Sequence, residues 1–219
     1  MSDRTTIAAQ VDTFNTGFND QIGPVLADVF AQEQLQLNAA GAPAGAVAEG
    51  DTVPEADLVR TDGSPTTLSA ALGGRPAVLV FYRGAWCPYC NIALQTYQRD
   101  LLPALRDRGV ELVAISPQTP EGSEQAVQNG GLEFTVLSDP ANALIRRLGI
   151  ITEPSPEARG AHTELGFDVA DSNADATGDI PFPTVLVVDA DRVVRFADVH
   201  VDYTTRTEVS TILEAVDAL

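Results

Sequence analysis

Apolar residues recur every three or four positions along the first part of the chain. From 5 to 38 this spacing predicts an amphipathic helix. The Gly23-Pro24 pair is expected to divide it into two helices, because proline has no amide hydrogen to donate inside a helix. Residues 39–50 are rich in alanine, glycine and proline and are predicted to form a linker.

Continuous apolar runs alternate with amphipathic stretches beyond this linker. The runs predict buried strands and the amphipathic stretches predict helices. The predicted strands are 77–82, 110–116, 133–137, 184–188 and 193–198, with a further hairpin about Asp62-Gly63 within 53–70. A helix is predicted from the cysteine pair to about 108, with a kink at Pro103, and others at 121–129 and 205–218. A further helix is predicted to run through 148, with Asp139 as its cap and Pro140 as its first residue. This order of elements indicates an α/β fold with a central mixed sheet flanked by helices.

Two parts of the chain are predicted. Residues 1–49 form an N-terminal helical extension and linker, and residues 50–219 form one domain. Within that domain 151–181 breaks the pattern with prolines, glycines and acids, so it is expected to be a surface insertion that could serve as a lid. No apolar run approaches ~18 residues, and the N-terminus lacks the pattern of a secretory signal, so neither a membrane span nor a leader is expected.

The charge of the chain excludes some classes of partner. Asp and Glu total 31 against 13 basic residues, all of them Arg, which gives a net charge of −18. Such a chain repels phosphate backbones and anionic lipids, so nucleic-acid and membrane binding are poor hypotheses. The absence of Lys fits either a high-GC genome or a halophile, and the sequence leaves this choice open.

The chain has two cysteines, Cys87 and Cys90, which lie between a predicted buried strand and a predicted helix. Two cysteines are too few for a disulfide scaffold or a structural zinc site, so no metal and no cofactor are expected. His162 and His200 lie far away in sequence and are interpreted as ordinary residues rather than acid–base partners. A lone C-x-x-C in this context is typical of redox chemistry.

The spacing of the two cysteines suggests a different chemical role for each. A thiol attacks as its thiolate, and the positive end of the helix is expected to lower the pKa of Cys87. Arg83 is expected to add a second positive field. Cys90 lies one helical turn further on and is expected to be more buried. We therefore predict that Cys87 is the nucleophile and that Cys90 closes a disulfide with it.

Candidate substrate-binding residues surround this pair. Trp86, Pro88 and Tyr89 flank the thiols and are expected to form a docking surface. Pro183 is predicted to follow a cis peptide bond and to face the cysteines, together with Thr184. The backbone beside it would then pair with a bound peptide or thiol.

These residues resemble two related families. The segment WCPYC, with a later Pro183-Thr184, is similar to thioredoxin-fold proteins. The peroxiredoxins (alkyl hydroperoxide reductase/thiol-specific antioxidant type) are a closer match over residues 50–219. The matching segments are Gly50-Asp51-Thr52-Val53-Pro54 with Leu58 and Gly63, Ile115-Ser116-Pro117-Gln118, Leu137-Ser138-Asp139-Pro140, and FYRGAWCPYC. This resemblance implies a thioredoxin-like fold and a thiol-dependent reductase of peroxides or disulfides, which a reducing thiol partner recycles.

The chain also departs from the peroxiredoxin pattern. Gly84 and Val80 stand where that pattern has a threonine or serine and a proline, and Pro183 stands where its second arginine is expected. Three functions therefore stay open. The first is a hydroperoxide reductase, the second is a thiol–disulfide oxidoreductase, and the third is a redox sensor without turnover. A cytoplasmic location is expected for an exposed thiol pair, and a homodimer stays open because the N-terminal helices could dock on a partner subunit.

Overall fold

The fold is built on one mixed sheet, which a computed structural model describes over residues 5–219. The first four residues, which belong to the predicted extension, lie outside the described part. The strands are β1 (Asp57–Arg60), β2 (Pro65–Thr67), β3 (Ala77–Phe81), β4 (Glu111–Ser116), β5 (Thr135–Ser138), β6 (Ile151–Thr152), β7 (Ile180–Pro181), β8 (Thr184–Val188) and β9 (Val194–Val199). Seven of them form a sheet in the order β2-β1-β5-β4-β3-β8-β9, while β6 pairs with β7.

Helices cover both faces of this sheet. They are α1 (Ile7–Ala40), α2 (Leu68–Leu72), α3 (Pro88–Thr96), α4 (Leu102–Arg108), α5 (Pro120–Gly130), α6 (Ala143–Arg147), α7 (Pro156–Glu164), α8 (Val169–Ser172) and α9 (Val209–Asp217). The predicted α/β class, the central mixed sheet and the helical N-terminus are confirmed.

Strand β3 lies in the interior of the sheet and leads to the cysteine pair. It runs parallel to β4 and antiparallel to β8, and all five of its residues are buried. Its side chains alternate between two cores, as a strand requires. Val78 and Val80 join the core that also holds both cysteines. Leu79 and Phe81 join the core on the opposite face, which α2 and α6 cover.

Helix α1 docks on its own chain. It is broken at Gly23, whose backbone (φ 79°, ψ 166°) is not helical, and this confirms the predicted division at Gly23-Pro24. Its first turn is tied to the C-terminal region, because the Glu208 carboxylate accepts the amide hydrogens of Ile7 and Ala8 at 3.0 and 2.9 Å. The helix also packs against α3 and α7, so it reaches the neighbourhood of the cysteines.

The predicted kink at Pro103 takes the form of a wider helical turn. A π-helical segment (Tyr97–Leu101) joins α3 to α4, and Pro103 follows it at the start of α4. A proline ring collides with the carbonyl four residues before it, and opening the helix relieves that collision. One continuous but deformed helix therefore runs from the cysteines to Arg108, as predicted.

The predicted start of the helix after β5 is wrong. Helix α6 begins at Ala143 rather than Pro140, and Asn142 precedes it in a left-handed conformation (φ 52°). The Asp139 carboxylate nevertheless satisfies the free amides of this helix, accepting hydrogen bonds from Ala143, Leu144 and Ile145 at 2.9–3.0 Å. The carboxylate reaches across a turn, so it binds the first helical amides without being the residue next to them.

The segment 151–181 is folded rather than irregular. It begins at β6, contains α7 and α8, and returns at β7, which pairs with β6. The linker 39–50 contains no helix or strand beyond Ala40, but it is attached to the domain, since the Val47 amide donates to the Leu148 carbonyl at 2.8 Å. Among residues 5–219, no helix is both long enough and apolar enough to cross a membrane.

Candidate active site

The loop between β3 and α3 presents the two cysteines. Cys87 is the residue before the first helical position, and Cys90 lies in the first turn of α3. Two side chains hold the loop at Ala85. Gln118 Oε1 accepts its amide hydrogen at 2.7 Å, and Asn91 Nδ2 donates to its carbonyl oxygen at 2.8 Å. Both polar groups of the Ala85 backbone are therefore bound, which fixes the backbone that leads to Cys87.

Gly84 is required by the conformation of this loop. Its φ of 154° is one that residues with a side chain rarely adopt, and a Cβ there would lie 2.4 Å from Trp86 Nε1. The threonine or serine of the peroxiredoxin pattern therefore has no room at this position. Glycine at position 84, where the peroxiredoxin pattern has threonine or serine, leaves the space that the indole of Trp86 occupies.

An arginine that the sequence analysis missed lies against both sulfur atoms. Arg206 Nη2 is 3.0 Å from Cys90 Sγ and 3.9 Å from Cys87 Sγ. Its Nη1 donates to the Tyr203 carbonyl at 2.7 Å, and Tyr97 holds the same loop by donating its hydroxyl hydrogen to the Thr207 carbonyl at 2.7 Å. This buried guanidinium supplies a fixed positive charge to the thiol pair.

The two thiols share one favourable ionisation. Burial opposes the charged form of Cys90, but a hydrogen bond from Cys87, the charge of Arg206 and the amide of Arg83 outweigh it, and the pKa of Cys90 is well below its usual value. Burial, followed by the hydrogen bond and charge of Cys90, raises the pKa of Cys87. The predicted lowering of the Cys87 pKa is therefore wrong, because the first negative charge resides on its neighbour.

The two cysteines face different spaces. Each has 1% of its surface exposed, so the expectation of an exposed pair, with Cys90 the more buried, is wrong. Cys87 lines a cavity of about 400 Å³ that opens between α1, α3 and the 151–181 segment. Cys90 lines a much smaller space of about 10 Å³ on the side of Arg206. A ligand in the larger cavity meets Cys87.

Most of the predicted site residues border the larger cavity. Arg83, Trp86, Pro88 and Tyr89 all line it beside Cys87. The Trp86 ring packs on that of Phe167, with centroids 5.4 Å apart. The Tyr89 hydroxyl donates to Asn15 Oδ1 of α1 at 2.7 Å. These side chains join the cysteine loop to the extension and to the 151–181 segment.

Pro183 and Thr184 lie on the other side, next to Cys90 and Arg206. The predicted cis bond before Pro183 is wrong, since residues 5–219 contain no cis peptide. The backbone there is already paired. The Phe182 amide donates to the Ile150 carbonyl at 2.7 Å, and the Pro183 carbonyl accepts from the His200 amide at 2.8 Å. This extended, paired backbone leaves no edge for a bound peptide at that position.

His162 is a second cavity residue that the sequence analysis missed. It is 6% exposed, and its ring lies 5.8 Å from that of Trp86 and 4.7 Å from that of Phe167. Burial, followed by the charge of Arg83, lowers the pKa of His162 to about 4. His162 is therefore neutral at pH 7. No local pattern distinguishes His162 or Arg206, because each reaches the site through the fold.

The fold and the site together define a class of protein. A mixed sheet, a strand–cysteine–helix junction and a close dithiol beside a buried arginine describe a thioredoxin-like thiol protein. Within residues 5–219 no cluster of three or more His, Cys, Asp or Glu side chains is placed to hold a metal ion.

The sequence profile of the AhpC/TSA family matches residues 49–197. The chain belongs to this family.

Named relatives agree with that assignment. The chain is 31% identical over 104 residues to peroxiredoxin Q, chloroplastic, of Sedum lineare, which is 48% of this chain and 55% of that protein. It is 30% identical over 106 residues to peroxiredoxin Bcp of Escherichia coli K12, 48% of this chain and 67% of that one. The matched part thus spans roughly half to two thirds of these relatives. The structure of peroxidoxin BcpB from Mycobacterium tuberculosis superposes with a TM-score of 0.60 at 22% identity, covering 79% of this chain and 98% of that one, which shows the shared fold.

Proposed function

We propose that this protein is a thiol peroxidase that reduces organic hydroperoxides, with Cys87 as the attacking thiol and Cys90 as the resolving thiol. The observation that carries the proposal is the position of Cys87 on the floor of the 400 Å³ cavity, with Cys90 behind it and Arg206 against both sulfurs. Membership of the AhpC/TSA family and the peroxiredoxin relatives support the same reaction.

The first step is an attack by Cys87 on the peroxide. The Cys87 thiol passes its proton to the Cys90 thiolate with which it is hydrogen bonded, and Arg206 offsets the negative charge in either location. The Cys87 sulfur then attacks the terminal peroxide oxygen and the O–O bond breaks. Cys87 is oxidised to a sulfenic acid, and the alkoxide leaves and takes a proton from water to become an alcohol.

The second step returns Cys87 to a form that can be recycled. The Cys90 sulfur attacks the sulfenic acid sulfur, a disulfide forms, and the hydroxyl leaves with the Cys90 proton as water. The net reaction takes up one proton from the solvent, oxidises the thiol–thiolate pair to the disulfide, and yields one alcohol and one water. A reducing partner, either a thioredoxin-like protein or a low-molecular-weight thiol, then supplies two thiols to reduce the disulfide. No bound cofactor is required for either step.

The alternative is thiol–disulfide exchange through the same pair. The CPYC sequence and the glycine at position 84 favour it, since the hydroxyl of the peroxiredoxin pattern is absent. The paired backbone at Phe182 and Pro183 opposes it, because these groups cannot also bind an extended peptide. A sensor without turnover has no supporting feature in the site, and a recycling assay would separate it from both enzymes.

Stopped-flow fluorescence of Trp86, the only tryptophan, separates peroxide reduction from disulfide exchange. Reduced protein is mixed with cumene hydroperoxide, hydrogen peroxide or hydroxyethyl disulfide. We expect cumene hydroperoxide to react about 10²-fold faster than it does with free cysteine, the scale of one preorganised catalytic donor. Cys87→Ser should abolish this phase. A fast reaction with the disulfide and none with either peroxide would establish the alternative.

We further propose the setting in which this reaction occurs. The reduced, buried thiol pair suits the cytoplasm, where catalytic disulfides are transient. The extension 1–49 and the domain 50–219 would act together, since α1 supplies one wall of the cavity. A homodimer is supported only by Val25 and Leu35, which are 76% and 60% exposed on α1. Sedimentation of the reduced protein tests this assembly.

A further inference from the structure

Arg83 is a buried cation without a counter-ion. Arg83 lies two residues after the end of β3, and it is 6% exposed. Its Nε has no hydrogen-bond partner, and no carboxylate within residues 5–219 forms an ion pair with it. The guanidinium carbon lies 4.5 Å from the ring centroid of Tyr203 and 5.2 Å from that of Trp86. These aromatic contacts orient the guanidinium without neutralising it.

The protein's own anions are committed elsewhere. The guanidinium of Arg206, and not that of Arg83, hydrogen bonds to Cys90 and Cys87. Glu33 is buried and lines a small neighbouring space together with Arg83, but its carboxylate accepts the Ser155 amide hydrogen at 2.9 Å and makes no ion pair with Arg83. A buried charge is costly unless it is paired. No carboxylate of the described residues pairs with Arg83, so its guanidinium can accept a negative charge from outside the chain.

The cavity beside Arg83 has the walls of a site for an apolar molecule. Its volume of about 400 Å³ falls within the range of small-molecule sites. The apolar side chains that line it come from α1 and from the 151–181 segment: Phe14, Phe18, Ile22, Phe30, Leu165 and Phe167. Two further buried polar atoms on this cavity have no hydrogen-bond partner, Nε1 of Trp86 and Nδ1 of His162. Apolar walls with three unsatisfied nitrogen atoms fit an apolar body that ends in an acceptor.

We propose that the cavity selects hydroperoxides whose apolar body carries a carboxylate, with Arg83 binding the carboxylate. A guanidinium presents paired donors that match the two oxygens of such a group. The aromatic walls hold the hydrocarbon part, and the peroxide group then lies toward Cys87 on the cavity floor. His162 supplies a further hydrogen bond to the anion through its free nitrogen. This inference rests on the proposed peroxidase function, but the binding of the anion can be tested apart from it.

The test uses two ligands that cannot react. Octanoate and octanamide have nearly the same shape and differ in charge, and each is titrated calorimetrically into the reduced wild-type protein. We expect octanoate to bind about tenfold more tightly or better, because a charged hydrogen-bonded pair contributes that scale of discrimination. Arg83→Gln should remove the preference, whereas Arg159→Gln, an exposed arginine of α7 paired with Glu153, should keep it. Equal affinity of the two ligands for the wild type, or a preference that survives in Arg83→Gln, would overturn the proposal.

A second measurement needs no variant. Octanoate should protect Cys87 from the neutral reagent iodoacetamide at concentrations where octanamide does not, because the bound anion fills the cavity. Equal protection by both ligands would contradict a role for charge. If octanoate binds selectively but no hydroperoxide reacts, the assignment of the cavity stands and the peroxidase function fails. If hydroperoxides react rapidly but the protein does not prefer octanoate to octanamide, the peroxidase function stands and the assignment of the cavity fails.

Discussion

Arg206 Nη2 and Cys90 Sγ lie 3.0 Å apart, although 116 residues separate them in the chain. The same nitrogen is 3.9 Å from Cys87 Sγ. One guanidinium thus offsets the negative charge on whichever cysteine bears it. This contact adds the charge of Arg206 to that of Arg83, which also acts to lower the pKa of Cys87, as the sequence predicts.

Replacing Arg206 with methionine should make the thiol pair harder to ionise. Loss of an opposite charge at this distance raises the pKa for the first proton by about one to three pH units. The absorbance of the thiolate near 240 nm, followed against pH, measures this change. Arg195→Met is the matched control, since Arg195 is exposed and pairs with Asp189 on the far hairpin. An unchanged pKa in Arg206→Met would show that Arg206 does not stabilise the thiolate.

Substituting Gly84 with alanine should destabilise the fold. The new Cβ would lie 2.4 Å from Trp86 Nε1, at a φ that alanine rarely adopts. Backbone strain and overpacking together predict a loss of about 2–4 kcal/mol in the free energy of unfolding, measured in urea. Gly160→Ala is the control, because Gly160 lies within α7 with open space around it, and alanine favours a helix there. Equal effects of the two substitutions would mean that the loop can accept a side chain at position 84.

The stability of the protein should depend on pH through His162. Its pKa is about 4 in the folded protein, compared with an ordinary value of 6.5. Between these values the unfolded chain binds more protons, so this contribution is complete above pH 6.5 and is lost as the pH falls toward 4. The stability of the wild type relative to His162→Phe should therefore decrease by up to about 3 kcal/mol between pH 7 and pH 4. Comparing with His162→Phe cancels the titration of the many acids. A difference that is independent of pH would indicate a normal pKa for His162.

Local sequence patterns predicted the framework that presents the cysteines. The apolar run 77–82 became β3, the helix after Cys87 formed with its deformation at Pro103, and the hairpin turned at Asp62-Gly63. Each of these depends on residues close together in sequence, such as a turn dipeptide, a proline or a run of apolar side chains. For the same reason the sequence alone places the C-x-x-C at a strand–helix junction.

The errors at the active site concern interactions between distant segments. The amide of Phe182 is paired with Ile150 and the carbonyl of Pro183 with His200, which no local pattern reveals. Arg206 and His162 reach the thiols and the cavity through loops and helices whose positions depend on tertiary packing. The pKa values of the cysteines followed burial and their mutual contact rather than the helix terminus alone. A local motif therefore identified the reacting atoms but not the groups that tune them.

The central claim is that Cys87 takes the peroxide oxygen and Cys90 resolves it. Intact-mass spectrometry tests this most directly, on reduced wild type, Cys87→Ser and Cys90→Ser quenched within one turnover of an equimolar organic hydroperoxide. The wild type should lose two hydrogens, Cys90→Ser should gain one oxygen that dimedone traps at Cys87, and Cys87→Ser should be unchanged. If instead Cys87→Ser gains the oxygen at Cys90, or neither single variant is oxidised in that time, the assignment of nucleophile and resolving thiol is contradicted.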